Sequence, residues 1–144
     1  MWIIRNAKSE ETKKKREMTE VTCAIIIREG KVLVTQRSES MPHALKWEFP
    51  GGKIKEGESV EEAITREILE ELGILVEVER LLPSVSHSYG ALPIRLIPLV
   101  CKLTEGHVIL SEHKAYRWVP VEQLDEVDWL EADKGVVTIL KEKL

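Results

Sequence analysis

Cysteine is scarce in this chain. The two cysteines, Cys23 and Cys101, sit inside apolar runs, "VTCAIII" and "LVCKL". In such runs a free cysteine behaves as a small core hydrophobe, so no disulfide framework is indicated and a reducing compartment suits the chain. Long hydrophobic runs are absent. None approaches the ~20 residues of a membrane span, and the opening "MWIIRNAK" lacks the apolar stretch of a signal peptide. Basic residues are not in excess either: 21 basic against 25 acidic side chains leave a net charge of −4. That argues against nucleic acid as a partner, and an acidic protein that handles phosphates needs metal ions as intermediaries. Internal repeats are lacking. A cytoplasmic protein, with neither membrane nor nucleic acid as partner, is the expectation.

The 144 residues fit one compact domain. With 43% hydrophobic and 32% charged residues, the composition is that of a globular protein and not of a disordered one. Residues 1–19 differ from the rest. "AKSEETKKKREMTE" is a dense charge mixture without apolar period, and it reads as a solvated tail. The domain is expected over residues 20–144, and a start at Met18 would leave it intact.

Along that domain, "EVTCAIIIREGKVLVTQR" reads as a hairpin turning at Gly30. "SESMPHALK" is a loop, "WEF" a short apolar stretch and "PGGKIKEGE" a Pro/Gly loop. A helix begins after Ser59, which forms a capping box with Glu62, and ends at Gly73, the usual C-terminal cap residue. "ILVEVERLL", "SVSHSY" and "LPIRLIPLVCKL" are strand candidates. Pro93 and Pro98 put the last of these at a sheet edge or bulge. "KAYRWVPV" is a final strand running into a short helix opened by Pro120, and Asp133 is placed to cap a C-terminal helix. This order gives an α/β (α+β) layered domain with a mixed sheet.

The helix after Ser59 carries its charge in the wrong place. At ~100° per residue, Glu67, Glu70 and Glu71 fall within an arc of roughly 100°, while Ile64, Ile68, Leu69 and Leu72 occupy the other side. Each like-charge neighbour costs about 0.2–0.5 kcal/mol. Each carboxylate near the negative helix end costs about 0.3–1 kcal/mol more. Arg66 offsets part of this. Hard divalent cations prefer carboxylate and carbonyl oxygens. The stripe lies beside a Gly-rich loop able to expose carbonyls, and a bound ion would turn the repulsion into attraction.

The stretch from Gly52 to Ile74 resembles the Nudix box, G-x5-E-x7-R-E-U-x-E-E-x-G-U with U apolar. Gly52, Glu58, Arg66, Glu67, Ile68, Glu70, Glu71, Gly73 and Ile74 fill the specified positions. The flanks "VTQR", "WEFPGGKIKEGES" and "EHKAYRWV" are similar to the MutT-like branch. This resemblance implies an α/β/α sandwich around a mixed sheet. It implies hydrolysis of a nucleoside triphosphate to monophosphate and pyrophosphate, with Mg²⁺ or Mn²⁺ as cofactor and a small nucleotide as partner. Glu67, Glu70 and Glu71, with the Gly51 carbonyl and Glu112, would hold the metal. Arg66 would orient the carboxylates, Glu58 would support the loop–helix junction, and Gly52 and Gly73 would be structural glycines of the motif. Either Glu67 or Glu112 would act as the base. Monomer and homodimer are both open.

The resemblance also suggests substrate contacts. Arg37 matches a position that reaches substrate phosphates, against an ordinary surface arginine. Trp47 and Phe49 either line the base pocket or pack in the core, and Trp118 reads as core. His113 adjoins Glu112 but reads as a loop histidine. Asp133 either reads the base or caps its helix. As an ionised acceptor it suits the amino group of cytosine, and as a protonated acid it would suit an oxidised purine. The substrate is therefore open between 8-oxo-dGTP and cytidine-type triphosphates. Tyr89 and Pro83 lie near markers of dinucleotide polyphosphate or ADP-ribose hydrolysis in other Nudix branches, which is the enzyme alternative. A non-catalytic nucleotide-sensing module is the alternative of another class, though such modules carry a degraded box.

Overall fold

The computed structural model describes residues 18–144; all but the last two positions of the expected tail lie outside them. Strand β1 (Thr19–Arg28) turns through Glu29 and Gly30, both at positive φ, into β2 (Lys31–Gln36), as the hairpin reading requires. Then follow β3 (Trp47–Glu48), β4 (Gly51–Lys53) and helix α1 (Val60–Leu72). Next come β5 (Leu75–Leu81), β6 (Val85–Tyr89), β7 (Leu92–Glu105) and β8 (Ala115–Pro120). A 3₁₀ turn (Val121–Glu126) and helix α2 (Glu131–Lys143) close the chain.

The strands form one mixed eight-stranded sheet whose central path runs β3-β2-β1-β7-β5. β1 lies parallel to β7 and antiparallel to β2 and β4. Its side chains alternate between two buried layers. Cys23 and Ile25 pack toward Val136, Val137 and Leu140 of α2, whereas Ala24 and Ile26 pack toward Ile64, Ile68 and Leu72 of α1. The result is an α/β/α sandwich. Both cysteines are unpaired and buried, as expected.

Two expectations are corrected here. β7 is central, not an edge strand. The Pro98 carbonyl accepts a hydrogen bond from the Leu82 N–H at 2.9 Å. Its proline nitrogen therefore faces the same side, away from β1. On that side β6 pairing ends at Leu96 and β5 pairing begins at Leu99. The missing donor falls where the partner changes, so it breaks no ladder. Residues Gly51–Lys53, expected as loop, instead pair with Cys23, Thr22 and Val21 of β1. A Cβ at Gly51 would meet the Thr22 carbonyl oxygen at 2.1 Å, so only glycine permits this approach.

Candidate active site

Helix α1 is built as its sequence predicts. Ser59 Oγ accepts from the Glu62 N–H at 3.0 Å, and the Glu62 side chain returns a bond to the Ser59 N–H at 3.1 Å. Gly73 ends it at φ 65°, the left-handed conformation that glycine adopts without steric cost. Ile64, Ile68 and Leu72 are fully buried beneath it. At about 1.5–3 kcal/mol each, their burial outweighs the ~1–3 kcal/mol that three misplaced carboxylates cost. The packing lets the helix carry an acidic stripe that its own electrostatics oppose.

Arg66 organises that stripe. Its guanidinium donates to Glu58 at 2.6 and 2.9 Å, to Glu67 at 2.9 Å, to Glu70 at 3.2 Å and to the Lys53 carbonyl at 3.1 Å. With the Lys55 N–H it holds the Glu58 carboxyl down to about 2. Glu58 thus ties the loop after β4 to the middle of α1. A Cβ at Gly52 would lie 2.4 Å from Glu67 Cδ, so the missing side chain makes room for this carboxylate against β4.

Glu71 is different. Burial pushes its carboxyl up to about 8, and the charges of Glu48, Glu67 and Glu112 push the same way. A hydrogen bond from the Gly51 backbone opposes them. Its Oε2 atom is buried and has no hydrogen-bond partner. The charges of three other carboxylates thus bear on Glu71, whose second oxygen is unsatisfied, and oxygen donors of this kind suit a hard divalent cation. Among the described residues no three such side chains are grouped to hold a metal ion, and Glu67 and Glu70 both receive hydrogen bonds from Arg66. The carboxylates present are of the type that such an ion takes.

A pocket of about 150 Å³ opens beside the stripe, lined among others by Cys23, Arg37, Glu48, Phe49, Gly51 and Asp133. A cavity of this size admits a single aromatic ring. Arg37, just past β2, donates through Nη1 to Glu48 Oε1 at 2.8 Å and through Nε to the Pro42 carbonyl at 2.7 Å. Phe49 lines the pocket and is also core, 3% exposed and stacked on Trp129 at 4.5 Å. Trp47 is half-buried and packs against the core on the α2 side. Trp118 is half-buried with the Arg28 guanidinium 4.4 Å over its ring.

Asp133 does not cap α2 with its side chain. The helix starts earlier, with Leu130 at the cap position and its N–H donating to the Trp47 carbonyl at 2.8 Å. The Ala132 N–H is satisfied by Tyr89 Oη at 2.9 Å. Asp133 points inward, 3% exposed, and accepts from the Phe49 N–H at 2.9 Å. Burial raises its carboxyl well above the ordinary range.

Glu48, which chain spacing did not single out, and His113, expected as a loop histidine, are central here. Glu48 joins Arg37 to His113, whose Nε2 lies 2.9 Å from Glu48 Oε2. His113 is no loop bystander, since its side chain is 5% exposed. The signals were faint: one acid between two aromatic residues in "WEF", and a histidine beside a candidate acid in "EHK". Glu112 itself stands exposed in the loop between β7 and β8.

Comparison with known proteins identifies the class. The NUDIX domain family matches residues 18–138, so the chain belongs to the Nudix family. The relatives narrow it to the MutT-like branch, and to a nucleotide pyrophosphohydrolase enzyme. A putative 8-oxo-dGTP diphosphatase 2 of Mycobacterium tuberculosis is 34% identical over 128 residues, covering 86% of this chain and 89% of that protein. The CTP pyrophosphohydrolase of Escherichia coli is 36% identical over 107 residues, covering 74% and 79%. The crystal structure of a MutT protein from Methanosarcina mazei superposes with a TM-score of 0.75 at 28% identity, covering 88% of this chain and 94% of that one.

Proposed function

We propose that the chain hydrolyses a nucleoside triphosphate to the monophosphate and pyrophosphate in a Mg²⁺-dependent reaction, with an oxidised purine nucleotide such as 8-oxo-dGTP as the preferred substrate. The observation that carries the metal reading is the unsatisfied, buried Oε2 of Glu71 among three other carboxylates. When bound, Mg²⁺ neutralises phosphate charge and acidifies a water. Glu67, Glu70, Glu71 and Glu112, with the Gly51 carbonyl, would hold it. Mn²⁺ presents similar demands and is expected to substitute. Arg66 keeps Glu67 and Glu70 on one side of the helix. Arg37, held at the pocket by Glu48 and the Pro42 carbonyl, would offer its remaining N–H groups to the phosphates. Glu67 and Glu112 are the two candidate proton acceptors, both close enough to bear on Glu71.

The base preference rests on Asp133. Burial favours its neutral form, which both donates and accepts. Such a group can pair with the carbonyl and N–H edge of an oxidised purine, where an ionised carboxylate could only accept. A cytidine-type triphosphate is the second reading, favoured if Asp133 stays ionised and supported by the E. coli CTP pyrophosphohydrolase relative. Hydrolysis of dinucleotide polyphosphates or ADP-ribose is the enzyme alternative; its marker, Tyr89, accepts a hydrogen bond from the first turn of α2. No helix among the described residues is long and apolar enough to cross a membrane, and a cytoplasmic role belongs to this reading. The test is kcat/KM for 8-oxo-dGTP, dGTP, CTP, dCTP, ADP-ribose and a dinucleotide polyphosphate, with products resolved by chromatography. The reading expects 8-oxo-dGTP first and pyrophosphate among the products. A preference for CTP would select the second reading, and orthophosphate with a nucleoside diphosphate would contradict both.

A further inference from the structure

Glu112 stands on a loop without regular structure, residues 106–114, and an exposed carboxylate there has no local means of keeping its place. The loop is pinned around it. The Ser111 N–H donates to the Glu71 carbonyl at 3.2 Å and the Ile109 N–H to the Leu72 carbonyl at 2.9 Å. Both acceptors belong to the last turn of α1, whose carbonyls have no partner within the helix. On the other side the Lys114 N–H donates to the Gln36 carbonyl at 2.9 Å. Between these anchors His113 turns inward to Glu48, whose second oxygen holds Arg37. The imidazole donates this bond in the tautomer that carries its proton on Nε2.

We propose that His113 is a positioning residue: through Glu48 it latches the loop bearing Glu112 onto β3 and, by the same carboxylate, fixes Arg37 at the pocket. A role in packing alone accounts poorly for an imidazole here. Its Nδ1 is buried with no partner, and an apolar side chain would fill the space without that cost. What the imidazole adds is the bond from Nε2. Three hydrogen bonds from two groups, Arg37 Nη1 and His113 Nε2, also occupy Glu48 on both oxygens, which makes it a hub for its neighbours.

The kinetic consequence rests on the hydrolase reading above; the latch itself does not. Amide hydrogen exchange in the metal-free protein reads the latch directly. His113→Ala is expected to speed exchange at residues 109–114 by about tenfold or more, the equilibrium weight of one hydrogen bond to a charged group. His113→Gln, whose amide can present an N–H to Glu48, is expected to restore much of the protection. Glu48→Gln leaves no cavity at position 113 and weakens the same bond, so it is expected to raise exchange in the same segment. With Mg²⁺ and nucleotide, His113→Ala is expected to lower kcat about tenfold or more, with a smaller effect on KM and partial rescue in His113→Gln. Unchanged exchange at 109–114 in both His113→Ala and Glu48→Gln would overturn the proposal. So would a kcat loss that His113→Gln does not relieve. A wild-type protein without Mg²⁺-dependent turnover would instead count against the hydrolase reading, with exchange still deciding the latch.

Discussion

Gly52→Ala is a perturbation whose size can be worked from the structure. A Cβ at this position would lie 2.4 Å from Glu67 Cδ and 2.5 and 2.6 Å from its two oxygens. Ordinary contact begins at 3.4 Å, so the carboxylate must retreat by about 1 Å. The obstacle is the end of a flexible side chain, and β4 need not move. A misplacement of about 1 Å at a reacting or ligating group costs about 100-fold in rate, or about 2.7 kcal/mol in the barrier. Stability moves the other way by about 0.4–1 kcal/mol, because alanine restricts the unfolded chain. Steady-state kinetics at saturating Mg²⁺, with thermal unfolding followed by circular dichroism, separates the two effects. Gly57→Ala is the control. Its Cβ would meet nothing within 4 Å, but the φ of 83° is strained for alanine. It should lose about 1 kcal/mol of stability and keep its turnover. Wild-type turnover in Gly52→Ala, or equal losses in both variants, would refute the assignment of Glu67 to the reacting centre.

Other outcomes follow from the same contacts. Glu58 has a carboxyl depressed to about 2, so it contributes stability that is present above the usual carboxylate range and lost as pH falls from about 4.5 toward 2. Glu58→Gln should be less stable than wild type at pH 7 and flatter in its acid unfolding curve across that window. Asp133→Asn keeps the acceptor for the Phe49 N–H and removes a buried ionisable group. It should unfold no earlier, yet shift the kcat/KM ratio between 8-oxo-dGTP and CTP by about 1–3 kcal/mol; an unchanged ratio would move base recognition elsewhere in the pocket. A chain starting at Met18 retains β1 from Thr19 onward and should keep full turnover. Loss of activity in that chain would give residues 1–17 a role in the domain.

What could be read from the sequence was local. The capping box, the Gly73 stop and the one-sided acids of α1 are set by neighbours within four positions, where helix geometry makes spacing decisive. What escaped depended on contacts across the chain. Pro98 looked like an edge residue because its missing donor is visible in sequence, while the change of partner from β6 to β5 on that side is not. Asp133 resembled a cap because aspartate favours that position. The cap was already occupied by Leu130 against the Trp47 carbonyl, which left Asp133 to the pocket. Glu48 and His113 are 65 residues apart, and the contact between them forms only when β3 and the loop before β8 come together.

The account stands most directly on Glu71. Hydrolysis of 8-oxo-dGTP, with its products followed by ³¹P NMR during a Mg²⁺ titration of wild-type and Glu71→Gln proteins, tests it. The wild type should be inactive in EDTA, gain activity saturably with Mg²⁺ and yield pyrophosphate. Glu71→Gln should turn over at least about 100-fold more slowly, need more Mg²⁺ and be no less stable without metal. Turnover that persists in EDTA, or a Glu71→Gln protein with the wild-type Mg²⁺ response, would contradict the claim that this acidic helix is a metal centre.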